Sequence, residues 1–207
     1  MNLPYEIQTV DDFNEVTTVV NKSSFIAQIY LVKSEAEVKE YLTNAKKKYY
    51  NASHHCYAFK LADGTVRYSD AGEPNGTAGI RILNAIEHFS LRNQLIIVSR
   101  IFGGVKLGIS PLGKAYYLSA FEVIDNSKIS TRQLFQKATI SAKYEQINFI
   151  HRILSNNNSL ILNSDYKEGL TLYCLLKSEK IEQISQKLSE AGKDKIKLVT
   201  QSETIYK

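Results

Sequence analysis

Residues 134–176 read LFQKATISAKYEQINFIHRILSNNNSLILNSDYKEGLTLYCLL. At the start of this stretch Ala138, Ile140 and Ala142 alternate with polar neighbours, the period of a strand with one buried face. The period then changes. Ile147, Ile150 and Leu154 recur at steps of three and four, which puts them on one stripe of a helix, and Asn156-Asn157-Asn158 stops it. Residues 160–166 and 170–176 return to strand, joined across Lys167-Glu168-Gly169 as a short hairpin. Further on, Ser178 suits the N-cap of a helix carrying Ile181, Ile184 and Leu188, and Gly192 suits its C-terminal cap. Ile196, Leu198 and Thr200 alternate as a last strand. The order β-α-β-β-α-β is that of a ferredoxin-like plait.

Upstream the pattern is also mixed, so the fold class is α+β. Residues 13–20 and 25–32 read as strands around Asn21-Lys22-Ser23-Ser24. Ser34 and Glu37 form a capping box for a helix whose buried face is Val38, Leu42, Ala45 and Tyr49. Residues 56–61 and 66–68 make a hairpin around Asp63-Gly64. A glycine-rich stretch from Gly72 to Gly79 opens a helix through Ile82, Leu83, Ile86 and Phe89. Residues 95–99 are strongly apolar, as in a buried strand. A second glycine-rich turn, Gly103 to Gly113, leads into a helix through Ala115, Leu118 and Ile124. The polar run at 130–133 then predicts a cleavable linker. A chain of 207 residues suits two domains, here 1–132 and 133–207.

Composition is ordinary for a globular protein, with 43% hydrophobic and 23% charged residues. The formal net charge of +5 is shared by both parts of the chain. It permits an RNA or ribosome partner without the dense basic footprint of a non-specific nucleic-acid binder. Cys56 and Cys174 stand far apart, which argues for a reducing compartment and against a disulfide framework. The opening Met1-Asn2-Leu3-Pro4-Tyr5-Glu6 carries no signal-peptide pattern, and no apolar run approaches the roughly 18 residues of a membrane span. The expectation is a soluble, cytoplasmic protein with no membrane partner.

Three constellations can carry chemistry. The first runs from Tyr68 to Gly79, YSDAGEPNGTAG. Its glycines permit positive φ and close approach of a ligand to the main chain. The unpaired N–H groups of the following helix, with Gly76 and Thr77 at its entry, suit a phosphate or another anion, and Arg81 adds positive charge one turn on. Asp70 and Glu73 can hold a cation, or fold back and cap the helix themselves. The second runs from Arg100 to Tyr116. Gly108 to Ala115 approaches a phosphate-binding loop, but Ala115 offers no oxygen to magnesium and Pro111 removes an N–H. Arg100, Lys106 and Lys114 remain candidates for an anion. A cleft shared by the two glycine-rich loops, lined by Asp70, Glu73, Thr77, Arg100 and Lys114, is the expected site. The third is His54-His55-Cys56, where only His54 and Cys56 share a strand face. A Cys56–histidine nucleophile pair is an option. No cluster stands at zinc spacing, and no metal or cofactor is expected.

Taken in order, these motifs resemble the IMPACT family in its two-domain bacterial form, the YigZ proteins. The family pattern H-H-C-x-A stands here as His54-His55-Cys56-Tyr57-Ala58. The pattern S-D-D-G-E-P-x-G-T-A-G-x-P-I-L stands as Ser69 to Leu83, and V-R-Y-F-G-G-x-x-L-G-x-G-G-L-x-x-A-Y as Ser99 to Tyr116. Departures fall at Ala71 for an acid, Arg81 for proline, Ile101 for an aromatic, Ser110-Pro111 for a glycine pair, and Ser24 for arginine. The resemblance implies an N-terminal fold shared with a ribosomal protein domain, kinases of the galactokinase class and domain IV of elongation factor G. It implies a C-terminal plait like domain V of that factor. Eukaryotic relatives regulate translation, so it implies a translation-associated protein contacting RNA, ribosome or a translation factor, a binding protein rather than an enzyme. The alternative is an enzyme binding a nucleotide or small-molecule phosphate at the glycine-rich helix entry.

Overall fold

The computed structural model describes residues 3–167, 169–192 and 195–207, with the backbone alone described at 191 and 192. The element order is β1 (Glu6–Val10), β2 (Asn14–Val20), β3 (Ser23–Leu31), α1 (Glu35–Lys48), β4 (His54–Lys60), β5 (Val66–Ser69), α2 (Gly79–His88), β6 (Gln94–Ile101) and α3 (Ile109–Asp125). Then follow β7 (Ile129–Ala142), α4 (Ile147–Asn156), β8 (Leu160–Asp165), β9 (Leu170–Lys177), α5 (Ile181–Gly192) and β10 (Lys197–Tyr206). The chain divides into two compact units, Ile7–Thr131 and Arg132–Lys207, the latter taking in Leu3–Glu6. Among the described residues no helix is long and apolar enough to cross a membrane.

In the first unit β2 to β6 form one antiparallel sheet ordered β2-β3-β6-β4-β5. Strand β6 is central and buried along nearly its whole length, which explains its apolar run. With a side-chain period of two, Ile96 and Val98 join Phe25, Ala27, Cys56 and Ala58 beneath α2 and α3. Leu95 and Ile97 join Val32, Phe59 and Leu61 on the other face, against Val38 and Ala45 of α1. Each large apolar side chain so buried stabilises the fold by about 1.5–3 kcal/mol. Helix α1 opens as the capping pattern requires, with the Glu37 N–H donating to Ser34 Oγ at 3.3 Å. The returning carboxylate takes the Lys33 N–H at 2.7 Å.

The second unit has the order β7-α4-β8-β9-α5-β10; β7, β9 and β8 lie in a row, β10 also pairs β7, these pairings are antiparallel, and β1 is the fifth strand of this sheet. Ala138, Ile140, Leu172, Cys174 and Leu176 pack against Ile150, Ile153 and Leu154 of α4 and Ile184 and Leu188 of α5. The hairpin residue Glu168 lies outside the described residues, as does the position after Gly192 where a C-terminal cap would act. Gly192 itself is the last helical residue.

Two sequence expectations are corrected. The second glycine-rich turn ends at Gly108 (φ 84°), the N-cap of α3, so Pro111 and Gly113 lie inside the helix. Proline is tolerated in a first turn, where its missing N–H has no helical partner. The polar run at 130–133 is a strand and no loop. The division falls within β7, and Gln133 exchanges backbone hydrogen bonds with Lys207 at 2.9 and 3.0 Å. The peptide bond after Arg132 is therefore held in paired β structure, which proteases cut poorly. Under native conditions the first tryptic cut should fall outside β7. A primary fragment ending at Arg132 on mass spectrometry would contradict this pairing.

Candidate functional site

Strand register alone gathers the polar residues of the first unit. His54 lies opposite Arg100, and Cys56 opposite Val98, across β4 and β6; Phe25 of β3 lies opposite Arg100 on its other side. The alternation that turns Ile96 and Val98 toward α2 and α3 turns Arg100 the same way. Tyr116 meets it from the buried stripe of α3. The loop before α2 supplies the acid.

Glu73 Oε1 accepts from Arg100 Nη1 at 2.7 Å and from the Tyr116 hydroxyl at 2.8 Å. Both members of the pair are nearly buried, with side chains 4% and 7% exposed. Arg100 also reaches Ser23 Oγ at 3.4 Å and lies over the rings of Phe25 and Phe102, each 5.4 Å away. The Cys56 sulfur lies 3.0 Å from the Asp70 carbonyl oxygen and 3.3 Å from Tyr116 Oη, so its one S–H is shared between these acceptors. Burial, above all, pushes this thiol up to about 12, opposed by the Tyr116 hydrogen bond. Burial likewise raises the Tyr116 phenol, helped by Cys56 and Glu73 nearby. Cys56 is fully buried, and its shared hydrogen bond goes to neither histidine. The pairing considered from sequence is replaced by a fastening of neutral thiol, phenol and ion pair.

Helix α2 begins at Gly79, later than the expected entry at Gly76-Thr77, and its first turn holds no acid. Asp70 fills that role from upstream. Its carboxylate accepts the N–H groups of Gly76, Ala78 and Gly79 at 2.9, 2.9 and 2.8 Å. Burial works to raise the Asp70 pKa, but the N–H groups of Gly76, Gly79 and Ala78 outweigh it and hold it below the ordinary value. An anion at the Gly76 end therefore finds its donors taken. Gly79 is required here: a Cβ would stand 2.7 Å from backbone atoms of Ser69. Gly103 is required too, since a Cβ would overlap the backbone of Lys22 and Ser23. Thr77 is buried, its hydroxyl donating to the Pro74 carbonyl at 2.6 Å.

The two loops thus lie together, but Glu73, Thr77 and Arg100 are buried between them and line no open cleft. His54 Nδ1 pairs with the Ala71 carbonyl at 2.9 Å, and its Nε2 is 3.9 Å from Glu73. His55 points to the opposite face, its Nδ1 2.8 Å from Ser99 Oγ. Burial, then the charges of Lys46 and His54, lower its pKa. Lys106 is exposed on the 102–108 stretch. Arg81 and Lys114 are both exposed and share a groove of about 480 Å³ with Asn84, Ile109, Ser110, Gly113 and Tyr117. The Arg81 side chain lies against Gly113, where a Cβ would stand 3.3 Å from Arg81 Nε. Sequence reasoning missed Tyr116, which sits within the second motif, and Asn84 and Tyr117. The latter two follow Arg81 and Lys114 by three residues, the spacing of one helix face.

Comparison with known proteins places this architecture. The Impact N-terminal domain model matches residues 21–124. IMPACT family member YvyE of Bacillus subtilis is 31% identical over 193 residues, covering 91% of this chain and 89% of the relative. IMPACT family member YigZ of Escherichia coli is 26% identical over 188 residues, covering 89% and 92%. A crystal structure of a hypothetical protein superposes with a TM-score of 0.68 at 25% identity, covering 97% of this chain and all of that one. The chain belongs to the IMPACT family.

Two outcomes test this geometry. Replacing Asp70 by Asn should cost about 1–3 kcal/mol in urea unfolding, because an amide loses the charge and turns a donor toward buried N–H groups. Asp70 has a depressed folded pKa, so its contribution is present above the ordinary aspartate range and lost as pH falls through the lower folded value. The gap between wild type and variant should therefore close below about pH 4; a gap independent of pH would refute a charge-held helix entry. Cys56 should resist a thiol-specific disulfide reagent at about pH 8 in the folded state and react only in denaturant. Rapid native labelling of Cys56 would show that the thiol is neither sealed nor neutral.

Proposed function

We propose that this protein is a cytoplasmic, translation-associated binding protein that contacts RNA through the groove between α2 and α3. One observation carries the reading. Of the basic residues singled out in the glycine-rich motifs, Arg100 is consumed by Glu73 inside the fold. Arg81 and Lys114 instead stand together in a groove whose lining holds an amide, a serine and a tyrosine but no carboxylate. Cations gathered on one face without acidic neighbours are the electrostatic footprint of a phosphate backbone.

The layout supports the same reading by analogy with translation factors. The row β7-β9-β8 with β10 paired to β7 and both helices on one face supports reading the second unit as a ferredoxin-like plait, like domain V of elongation factor G. The first unit is read as the ribosomal-protein-domain fold of domain IV. The eukaryotic relatives' part in translation, implied by the family resemblance, points the same way.

Co-sedimentation of the full chain with ribosomal subunits at low and high salt tests the proposal. The wild type should pellet with subunits at low salt and be released at high salt. The Arg81→Ala/Lys114→Ala variant should bind about tenfold more weakly, with a shallower salt dependence. Equal binding and an equal salt slope in the double variant would end the reading.

A further inference from the structure

The groove continues beyond Tyr117. Helices α2 and α3 run side by side in one direction: Arg81 meets Gly113 near their starts, and His88 meets Phe121 toward their ends. Between these points lies a chain of rings. Tyr117 and Phe121 have centroids 6.1 Å apart, Phe121 and Phe89 4.9 Å, Phe121 and His88 5.5 Å, and His88 and Phe89 5.1 Å. His88 is exposed, and Tyr117, Phe89 and Phe121 are half-buried, so this ring surface reaches solvent. Cations stand at one end and aromatic surface at the other. Of the acids near the ring end, Glu87 is engaged by Lys60 at 2.7 Å; Glu122 lies exposed next to Phe121 in sequence, and Asp125 lies exposed one turn beyond Phe121 on the same face of α3.

We propose that this stripe binds single-stranded RNA, with phosphates on Arg81 and Lys114 and unpaired bases stacked on Tyr117 and Phe121. The inference rests on the RNA reading above and specifies which RNA. Single-strand sites combine a positive track for the backbone with aromatic faces for successive bases. In an A-form duplex the base faces are stacked within the helix and cannot reach a protein ring. The dimensions agree: Lys114 to Phe121 spans about 10 Å of helix, the length of about three stacked nucleotides at roughly 3.4 Å each. A docked amphipathic helix would want an apolar groove; this one begins with Arg81, Asn84, Ser110 and Lys114.

The test is fluorescence anisotropy of the full chain with labelled oligoadenylate, an abasic strand of equal length, and a duplex of that length. Wild type should prefer oligoadenylate to the abasic strand and to the duplex by about tenfold or more. The Tyr117→Leu/Phe121→Leu variant should lose that preference while keeping its salt slope, and Tyr117→Phe should retain it. Thermal melting of each variant shows that it is folded. The Arg81→Ala/Lys114→Ala variant should keep the preference while its salt slope falls by about 0.7 per lost phosphate contact. If the leucine variant keeps the preference, or duplex binds as tightly as oligoadenylate, stacking is refuted while RNA binding stands. Absence of binding to every strand refutes both. Displacement of wild type from oligoadenylate by an acidic peptide that itself loses affinity in the leucine variant would make the stripe a protein-docking face and overturn the proposal.

Discussion

Glu73 is where three separate stretches of the first unit are tied together: its own glycine-rich loop, β6 through Arg100, and α3 through Tyr116. Burying this carboxylate and guanidinium costs several kcal/mol of hydration per ion, offset only if the charges meet each other and enough further donors. Here the offset is partial. One carboxylate oxygen takes two donors, and the guanidinium lies against two aromatic rings and Ser23, while its Nε is buried without a hydrogen-bond partner among the described residues. The pair is no independent source of stability, but removing either member leaves a buried charge uncompensated. Other features follow from it. The loop must turn inward at Glu73 and return to start α2, and Asp70 holds that return by accepting three N–H groups. Ser23, which Arg100 touches, also accepts the Gly103 N–H at 3.1 Å, and drawing that turn onto the β2–β3 connection leaves no room for a Cβ.

Much of this was legible in the sequence because local period and tertiary burial agree. The apolar run at 95–98 announced a buried strand, and Ser34 with Glu37 announced the start of α1. The misreadings lie where local chemistry has two solutions. Pro111 and Gly113 look like turn residues, yet proline fits a first helical turn and Gly113 lies inside α3 with Arg81 of the neighbouring helix against it. Ser130 to Gln133 looks like a linker, yet Gln133 is paired with Lys207 at the far end of the unit, a contact no local window contains.

The candidate site was found as a set of stretches and misread as a set of roles. Motif reading identified Asp70, Glu73 and Arg100, but it could not show that Glu73 and Arg100 consume each other while the N–H groups of Gly76, Ala78 and Gly79 occupy Asp70. That depends on strand register: Arg100 faces Glu73 only because it stands opposite His54 and Phe25 on the inward face of β6. A list of polar residues near glycines reads as a ligand site until their partners are known. Arg81 and Lys114 survive as solvent-facing groups because they sit on helix surfaces, outside the buried network.

The division between network and groove also bears on how this chain differs from the family pattern it otherwise matches. Cys56, Asp70, Glu73, Gly79, Gly103 and Tyr116, which build or permit the buried network, all stand as that pattern has them. The departures at Arg81 and Ser110 line the groove, those at Ala71 and Pro111 are exposed, and those at Ser24 and Ile101 are half-buried and face each other across β3 and β6. A buried ion pair tolerates little change, because each member is needed to offset the other's desolvation. A solvent-facing groove bears no such constraint. Proline in place of Arg81 would remove one of the two cations and the N–H it carries, leaving Lys114 alone. The Glu73–Arg100 network therefore keeps the family pattern, and the α2–α3 surface sets the charge this chain presents to solvent.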